Sequence, residues 1–187
     1  MAISLKRLAH EALQLGAAHA SVIDTSSIKY TAKFRLLCEE NKCGSYDRNW
    51  MCPPAVGPFE ELKAQASRYK QGLLFQTVHP LSSSFDWQSV KKAFKKHDKV
   101  LRRIMRHLKE RYGVDAMLPL GAGPCTSCEE CAAVKQEPCC SPEKAVASCE
   151  AYGIDVEALV GQYNIPYHHG ENTCSLVGCI LFTMRAD

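Results

Sequence analysis

Residues 117–131 read Met117-Leu-Pro-Leu-Gly121-Ala-Gly123-Pro124-Cys125-Thr-Ser-Cys128-Glu-Glu-Cys131, a short apolar strand that runs through a glycine-rich exit into three evenly spaced cysteines. Pro138-Cys139-Cys140 follows seven residues on, and Pro142 is suited to open a helix through about residue 152. Working outward, residues 86–112 form the longest periodic segment. Val90, Ala93, Phe94, His97, Leu101, Ile104, Met105 and Leu108 share one face, and Lys and Arg fill the other. Residues 72–79 (GLLFQTVH) read as a strand between Gly72 and Pro80, and residues 20–24 as a shorter one. A helix is expected over residues 3–15, with Leu5, Leu8, Ala9, Ala12 and Leu13 as its apolar stripe and Gly16 as its stop. Further helices are expected over residues 59–69 and 155–163. Residues 167–169 and 175–184 are expected to form a terminal antiparallel pair around Glu171-Asn172. Helices alternating with strands predict an α/β chain, mixed α+β being the other option. The expectation is a single compact domain over residues 1–187, a small mixed sheet flanked by helices, with two cysteine-rich loops.

Eleven cysteines in 187 residues is far above ordinary usage and leaves disulfides, metal or iron–sulfur ligation as explanations. No long apolar stretch follows Met1-Ala-Ile-Ser-Leu-Lys-Arg7, so no export signal is read and a reducing cytoplasm is expected, where disulfides do not persist. The count is odd, and a chain with 46% hydrophobic residues does not need staples. Metal is the better reading. No apolar run approaches a membrane span, and the composition is not that of a disordered chain.

The C-x2-C-x2-C run of Cys125, Cys128 and Cys131 lets one loop curl round a face of a cube and present three thiolates to it. It is the spacing of bacterial ferredoxin 4Fe–4S sites. Zinc, the less favoured metal, more often takes two separated C-x2-C knuckles, because a tetrahedral ion needs two ligands from each turn. The second constellation lies in residues 38–58, Cys38-x4-Cys43-Gly44-x-Tyr46 and then Trp50-x-Cys52-Pro53-Pro54. Gly44 allows a turn, the prolines stiffen the exit, and Tyr46 and Trp50 are placed to shield a cluster from water. Gly121-Ala122-Gly123 leaves room for backbone amides to approach one.

These residues resemble the predicted metal-binding family catalogued as domain of unknown function 2284. The first block of that family is matched by Cys38 through Pro54. Its second block is matched by Ala122-Gly123-Pro124-Cys125 through Cys131, Pro138-Cys139, Pro142-Glu143-Lys144-Ala145 and Ser148-x-Glu150-Ala151-Tyr152-Gly153-Ile154-Asp155, within the segment 121–153. The resemblance implies metal binding of iron–sulfur type in anaerobic metabolism. It makes Cys38, Cys43, Cys52, Cys125, Cys128, Cys131 and Cys139 the ligands.

Two 4Fe–4S clusters held by cysteine alone need eight thiolates, and these motifs supply seven. Cys140 or Cys149 completes the set, a non-cysteine ligand does, or one iron stays open and binds substrate. Cys174 is a further candidate. Cys179, in a run of apolar residues, reads as a small buried hydrophobe, facing away from Cys174 unless Gly178 marks a bulge. His168 and His169 read as structural. The expected function is electron transfer with a redox partner protein. The alternatives are an enzyme acting on a small molecule at an open iron and a structural zinc protein. Glu129 and Glu130, between ligands, are expected to lower the cluster potential. Residues 91–111 carry a net charge of +8 and residues 112–187 one of −7. The basic face suits an acidic partner, and without RNA-binding aromatic signatures no nucleic-acid site is claimed.

Overall fold

The computed structural model describes residues 5–83 and 86–184. In chain order it contains α1 (Leu5–Gln14), β1 (His19–Asp24), α2 (Lys33–Glu39), α3 (Phe59–Ala66), β2 (Gln71–Pro80), α4 (Trp87–Tyr112), β3 (Met117–Gly121), β4 (Ala147–Ser148), α5 (Val156–Gln162) and β5 (Thr173–Phe182). The strands form one open sheet in the order β1-β2-β5-β3-β4. All neighbours run antiparallel except β3 and β4, which pair in parallel at Leu120↔Ala147 and Gly121↔Ser148. The fold class is therefore the expected mixed α/β arrangement in a single compact domain.

The sheet is covered on both faces, which is why its central strands are continuous apolar runs rather than alternating ones. On one side Leu73, Phe75, Ile180 and Phe182 pack against Leu8 and Ala12 of α1 and Leu101, Ile104 and Leu108 of α4. On the other, Leu74, Leu120, Val177, Cys179 and Leu181 pack against Leu62 and Ala66 of α3, Leu159 and Val160 of α5, and Cys149, Tyr152 and Ile154. Truncating one of the wholly buried side chains, Phe75 for example, to Ala costs about 3–5 kcal/mol. Gly178 is a close approach rather than a bulge. The β2–β5 register is unbroken from Gln71↔Phe182 to Pro80↔Thr173, and a Cβ here would lie 2.5 Å from the Phe75 ring and 2.9 Å from His97 Nε2. Cys174 and Cys179 thus fall on opposite faces, and Cys179 is fully buried.

α4 begins where Asp86 accepts a hydrogen bond from the Ser89 amide and stops at Gly113 in the left-handed conformation, φ 62°. Its buried residues are Ala93, His97, Val100, Leu101, Ile104 and Leu108, the expected face shifted slightly. The expected start of α1 at residues 3 and 4 lies outside the described residues, as does the Leu5 side chain.

Three expectations are corrected. Leu13 is 41% exposed, and Glu11 is buried beside Ala12 instead. From Pro142 the chain makes a short 3-10 turn, Pro142–Lys144, and then the strand β4; the small apolar residues at 145–149 suit a helix period equally well, and pairing with β3 decides. Residues 167–169 are not a strand, because β5 takes both of its partners, β2 and β3, from elsewhere in the chain.

Glu11 can be buried because it has partners. Arg7 Nε (3.0 Å), Arg111 Nε (3.2 Å) and His107 Nε2 (2.8 Å) surround its carboxylate, and the Tyr112 hydroxyl donates to it. Burial pushes the carboxyl up, but the bonds from His107, Tyr112 and Arg7 and the charge of Arg111 outweigh this and bring it to about 2. A depressed carboxyl contributes stability above its ordinary value, near 4.5, and loses it as pH falls toward 2. Glu11→Gln is expected to destabilise by about 1–3 kcal/mol at neutral pH. In urea unfolding the gap from wild type should shrink between pH 4.5 and 2, and a gap independent of pH would contradict this account.

Candidate metal centre

The only parallel pairing among the described residues sends two chain segments out on one side of the sheet, as parallel strands must. Residues 122–131 leave from the end of β3, and Cys149 and Glu150 from the end of β4. β5 extends past them, so that Ser175, Leu176 and Val177 line the same space. α2 delivers Cys38 from its last turn, and the loop after it returns Cys43 and Cys52. The result is a cavity of about 910 Å³ whose walls carry Cys38, Cys43, Cys52, Cys125, Cys128 and Cys131. Cavities of this size and position, at the carboxyl ends of parallel strands, are where α/β sheets hold ligands.

Side chains that spacing alone could not identify hold the two loops together. The buried Asn49 donates from Nδ2 to the Cys125 carbonyl (3.1 Å) and accepts the Met51 amide on Oδ1 (3.0 Å). The Trp50 indole donates to the Glu137 carbonyl (2.9 Å), and the Trp50 amide points at Cys131 Sγ (3.5 Å). Trp50 therefore clasps the loops, and neither it nor Tyr46 lines the cavity. Arg35 bonds the carbonyls of Gly57 (2.9 Å) and Ala151 (3.1 Å), fixing α2 against both segments. Arg102 of α4 reaches Ser127 Oγ (3.1 Å) and the Lys144 carbonyl (2.9 Å). Gly123 has φ +69° and lies so close to the Phe94 ring, 2.7 Å from a Cβ position, that a side chain there would clash. Gly44 and Pro53 also line the cavity.

The sulfurs affect one another. Burial first, then the charges of Cys43, Cys38, Cys125 and Cys131, pushes Cys52 up to about 12. Burial and Cys43 raise Cys38, which Arg35 partly opposes and Glu150 reinforces. Glu150, on the same wall, is itself raised by burial, with its own amide and the Ser148 hydroxyl as hydrogen-bonding partners. Lys91, Lys92 and Lys95 of α4, Arg48, Glu129 and Glu130 line the same cavity and are exposed to water.

The remaining cysteines separate. The Cys140 sulfur joins that of Cys128 in a disulfide, with the Cα atoms 7.7 Å apart. Cys139 is half-buried and off the cavity wall. Cys149 is fully buried in the core, where its amide bonds the Gly121 carbonyl. Cys174 stands opposite His79 on β2, away from the cavity. His169 bonds Gln76 Oε1 (2.9 Å) and stacks on His19, a structural role.

Among the described residues no three His, Cys, Asp or Glu side chains converge closely enough to hold a single ion. Zn–S bonds of about 2.3 Å require sulfurs roughly 3.8 Å apart. A four-iron cube attaches each thiolate to a different iron, so its ligands stand farther apart around a larger space. Among the described residues no helix is long and apolar enough to cross a membrane.

Neither the curated proteins nor the solved structures contain a match to this chain. The profile of a family described as "Predicted metal-binding protein (DUF2284)" matches residues 21–182, from within β1 to the last residue of β5 and so across the sheet and both cysteine loops. The chain belongs to this predicted metal-binding family.

Proposed function

We propose that the cavity holds two 4Fe–4S clusters and that the protein is a cytoplasmic electron-transfer module. The observation that carries this reading is six cysteine sulfurs from two distant loops lining one cavity, five free thiols and the disulfide-bonded Cys128, with an amide already aimed at one sulfur. Cys125, Cys128 and Cys131 serve one cluster; Cys38, Cys43 and Cys52 serve the other. At the first cluster Cys140 is the favoured fourth ligand, in place of Cys139, which leaves the fourth ligand of the other cluster open. The 7.7 Å Cα separation of Cys140 from Cys128 exceeds what disulfides usually span and suits two thiolates on a shared centre in a reducing compartment. Cys139, the ligand implied by the family motif, stands beside it in sequence. When bound, the clusters supply one-electron transfer at low potential.

The chain's own residues set the conditions. The Trp50 amide stabilises negative charge on the Cys131 sulfur, while Glu129 and Glu130 oppose added negative charge and lower the potential. Lys91, Lys92 and Lys95, all exposed, gather an acidic partner to the rim. A second reading, an enzyme acting on a small molecule at an open iron, draws support from the three thiols of the first loop and from the cavity's volume.

Anaerobic preparation is expected to yield about eight irons and eight sulfides per chain, and zinc without iron would overturn both readings. Asn49→Ala removes the bond that ties the loops at Cys125. It should lose iron to a chelator about tenfold faster, equivalent to about 1.4 kcal/mol, and an unchanged rate would show that the clasp has no such role. Changing Lys91, Lys92 and Lys95 together to Glu should slow oxidation of the reduced protein by ferricyanide about tenfold at low salt. It should speed oxidation by cationic hexaammineruthenium, and both effects should fade at 1 M salt, where the Debye length is about 3 Å. Identical rates with both oxidants would exclude the rim as the point of electron exit.

A further inference from the structure

We propose that Glu150 is the non-cysteine ligand that completes the cluster held by Cys38, Cys43 and Cys52. The proposal rests on the iron–sulfur reading of the cavity and makes it more specific. The first loop brings three thiols to the wall and no fourth. Cys140 is at Cys128, Cys139 is off the cavity wall, Cys149 is inside the core, and Cys174 is off the cavity opposite His79. Glu150 lines the same cavity as Cys38, and Arg35, on the helix that carries Cys38, bonds the carbonyl of the next residue, Ala151 (3.1 Å).

Its placement is built by the fold. β4 ends at Ser148 beside Gly121, and the Ser148 hydroxyl accepts the Ala151 amide (3.1 Å). The Glu150 carbonyl accepts the Gly153 amide (2.9 Å), closing a turn that sets Glu150 on the cavity wall. Arg35 clamps the next carbonyl, Ala151, at 3.1 Å and Gly57 at 2.9 Å. That guanidinium is thereby committed to backbone oxygens rather than to the carboxylate. Among the described residues no Lys, Arg or His forms an ion pair with Glu150. The half-buried carboxylate is hydrogen-bonded by the Ser148 hydroxyl and its own amide but has no cation beside it, so it is a ready oxygen ligand for a metal in the cavity. Glu129 and Glu130, the other carboxylates on the cavity wall, lie on the opposite loop and are exposed to water. On binding, one carboxylate oxygen bonds the fourth iron and any proton it carried leaves to solvent, with no change in oxidation state.

The test is Mössbauer spectroscopy on the anaerobic, iron-57-labelled protein, comparing wild type with Glu150→Cys and Glu150→Ala. Wild type should hold about eight irons with one distinct, oxygen-ligated iron. Glu150→Cys should keep eight and convert that iron to the thiolate type. Glu150→Ala should bind cyanide about tenfold more tightly than wild type, since no carboxylate has to leave, read from the EPR of the reduced protein. Eight thiolate-type irons in wild type, or a distinct iron that persists unchanged in Glu150→Cys, would overturn the assignment and leave the clusters standing. An iron-free wild type would remove the iron–sulfur reading itself, and this assignment with it.

Discussion

The parallel pairing of β3 with β4 is the constraint on which the site depends. Parallel neighbours release their chains on the same side of a sheet, so the Cys125–Cys131 loop and the Glu150 turn must share one space. Were β4 antiparallel to β3, Glu150 would emerge at the far end of the sheet. β5, buried on both faces between β2 and β3, extends beneath that space and gives it a rigid floor. The first cysteine loop has no strand of its own there. It is brought in by the α2 helix, by Arg35 and by the clasp between Asn49 and Cys125, residues 76 apart in the chain.

Five free thiols around one cavity have an electrostatic consequence. Each lost proton leaves a negative charge next to others, and burial makes every such charge more costly, which is why Cys52 is pushed up to about 12. A bound cation reverses that balance, because the thiolates then face positive charge rather than one another. On the proposed reading, metal binding at these thiols releases protons. Glu11 illustrates the contrasting solution. Its buried carboxylate is surrounded by Arg7, Arg111, His107 and Tyr112 and needs no metal.

Much of this was legible in the sequence where a local pattern reports a local structure. The period of α4, the apolar run of β2 and the spacing of Cys125, Cys128 and Cys131 each describe neighbours in the chain. The sequence singled out the cysteines of both loops, and the structure brings six of them to one cavity wall while leaving Cys139 off it. What it could not convey was pairing at a distance. β4 is two residues long and exists because β3 lies beside it, so its small apolar residues read as a helix. β5 reads like half of a hairpin until its two distant partners are known. Asn49, Arg35 and Arg102 look like ordinary loop and surface residues, and their role lies in the carbonyls they reach. Trp50 was singled out as a shield and proves to be a tie. Glu150 stood in the family block without a role, and only the structure puts it on the cavity wall.

The central claim is that both loops grip iron in one shared space. Crystals grown without oxygen and measured at the iron absorption edge test it most directly. The account predicts two compact groups of iron within the cavity, one against Cys38, Cys43 and Cys52 and the other against Cys125, Cys128 and Cys131. An anomalous map with no iron between the loops, in a protein whose fold is intact, would contradict it.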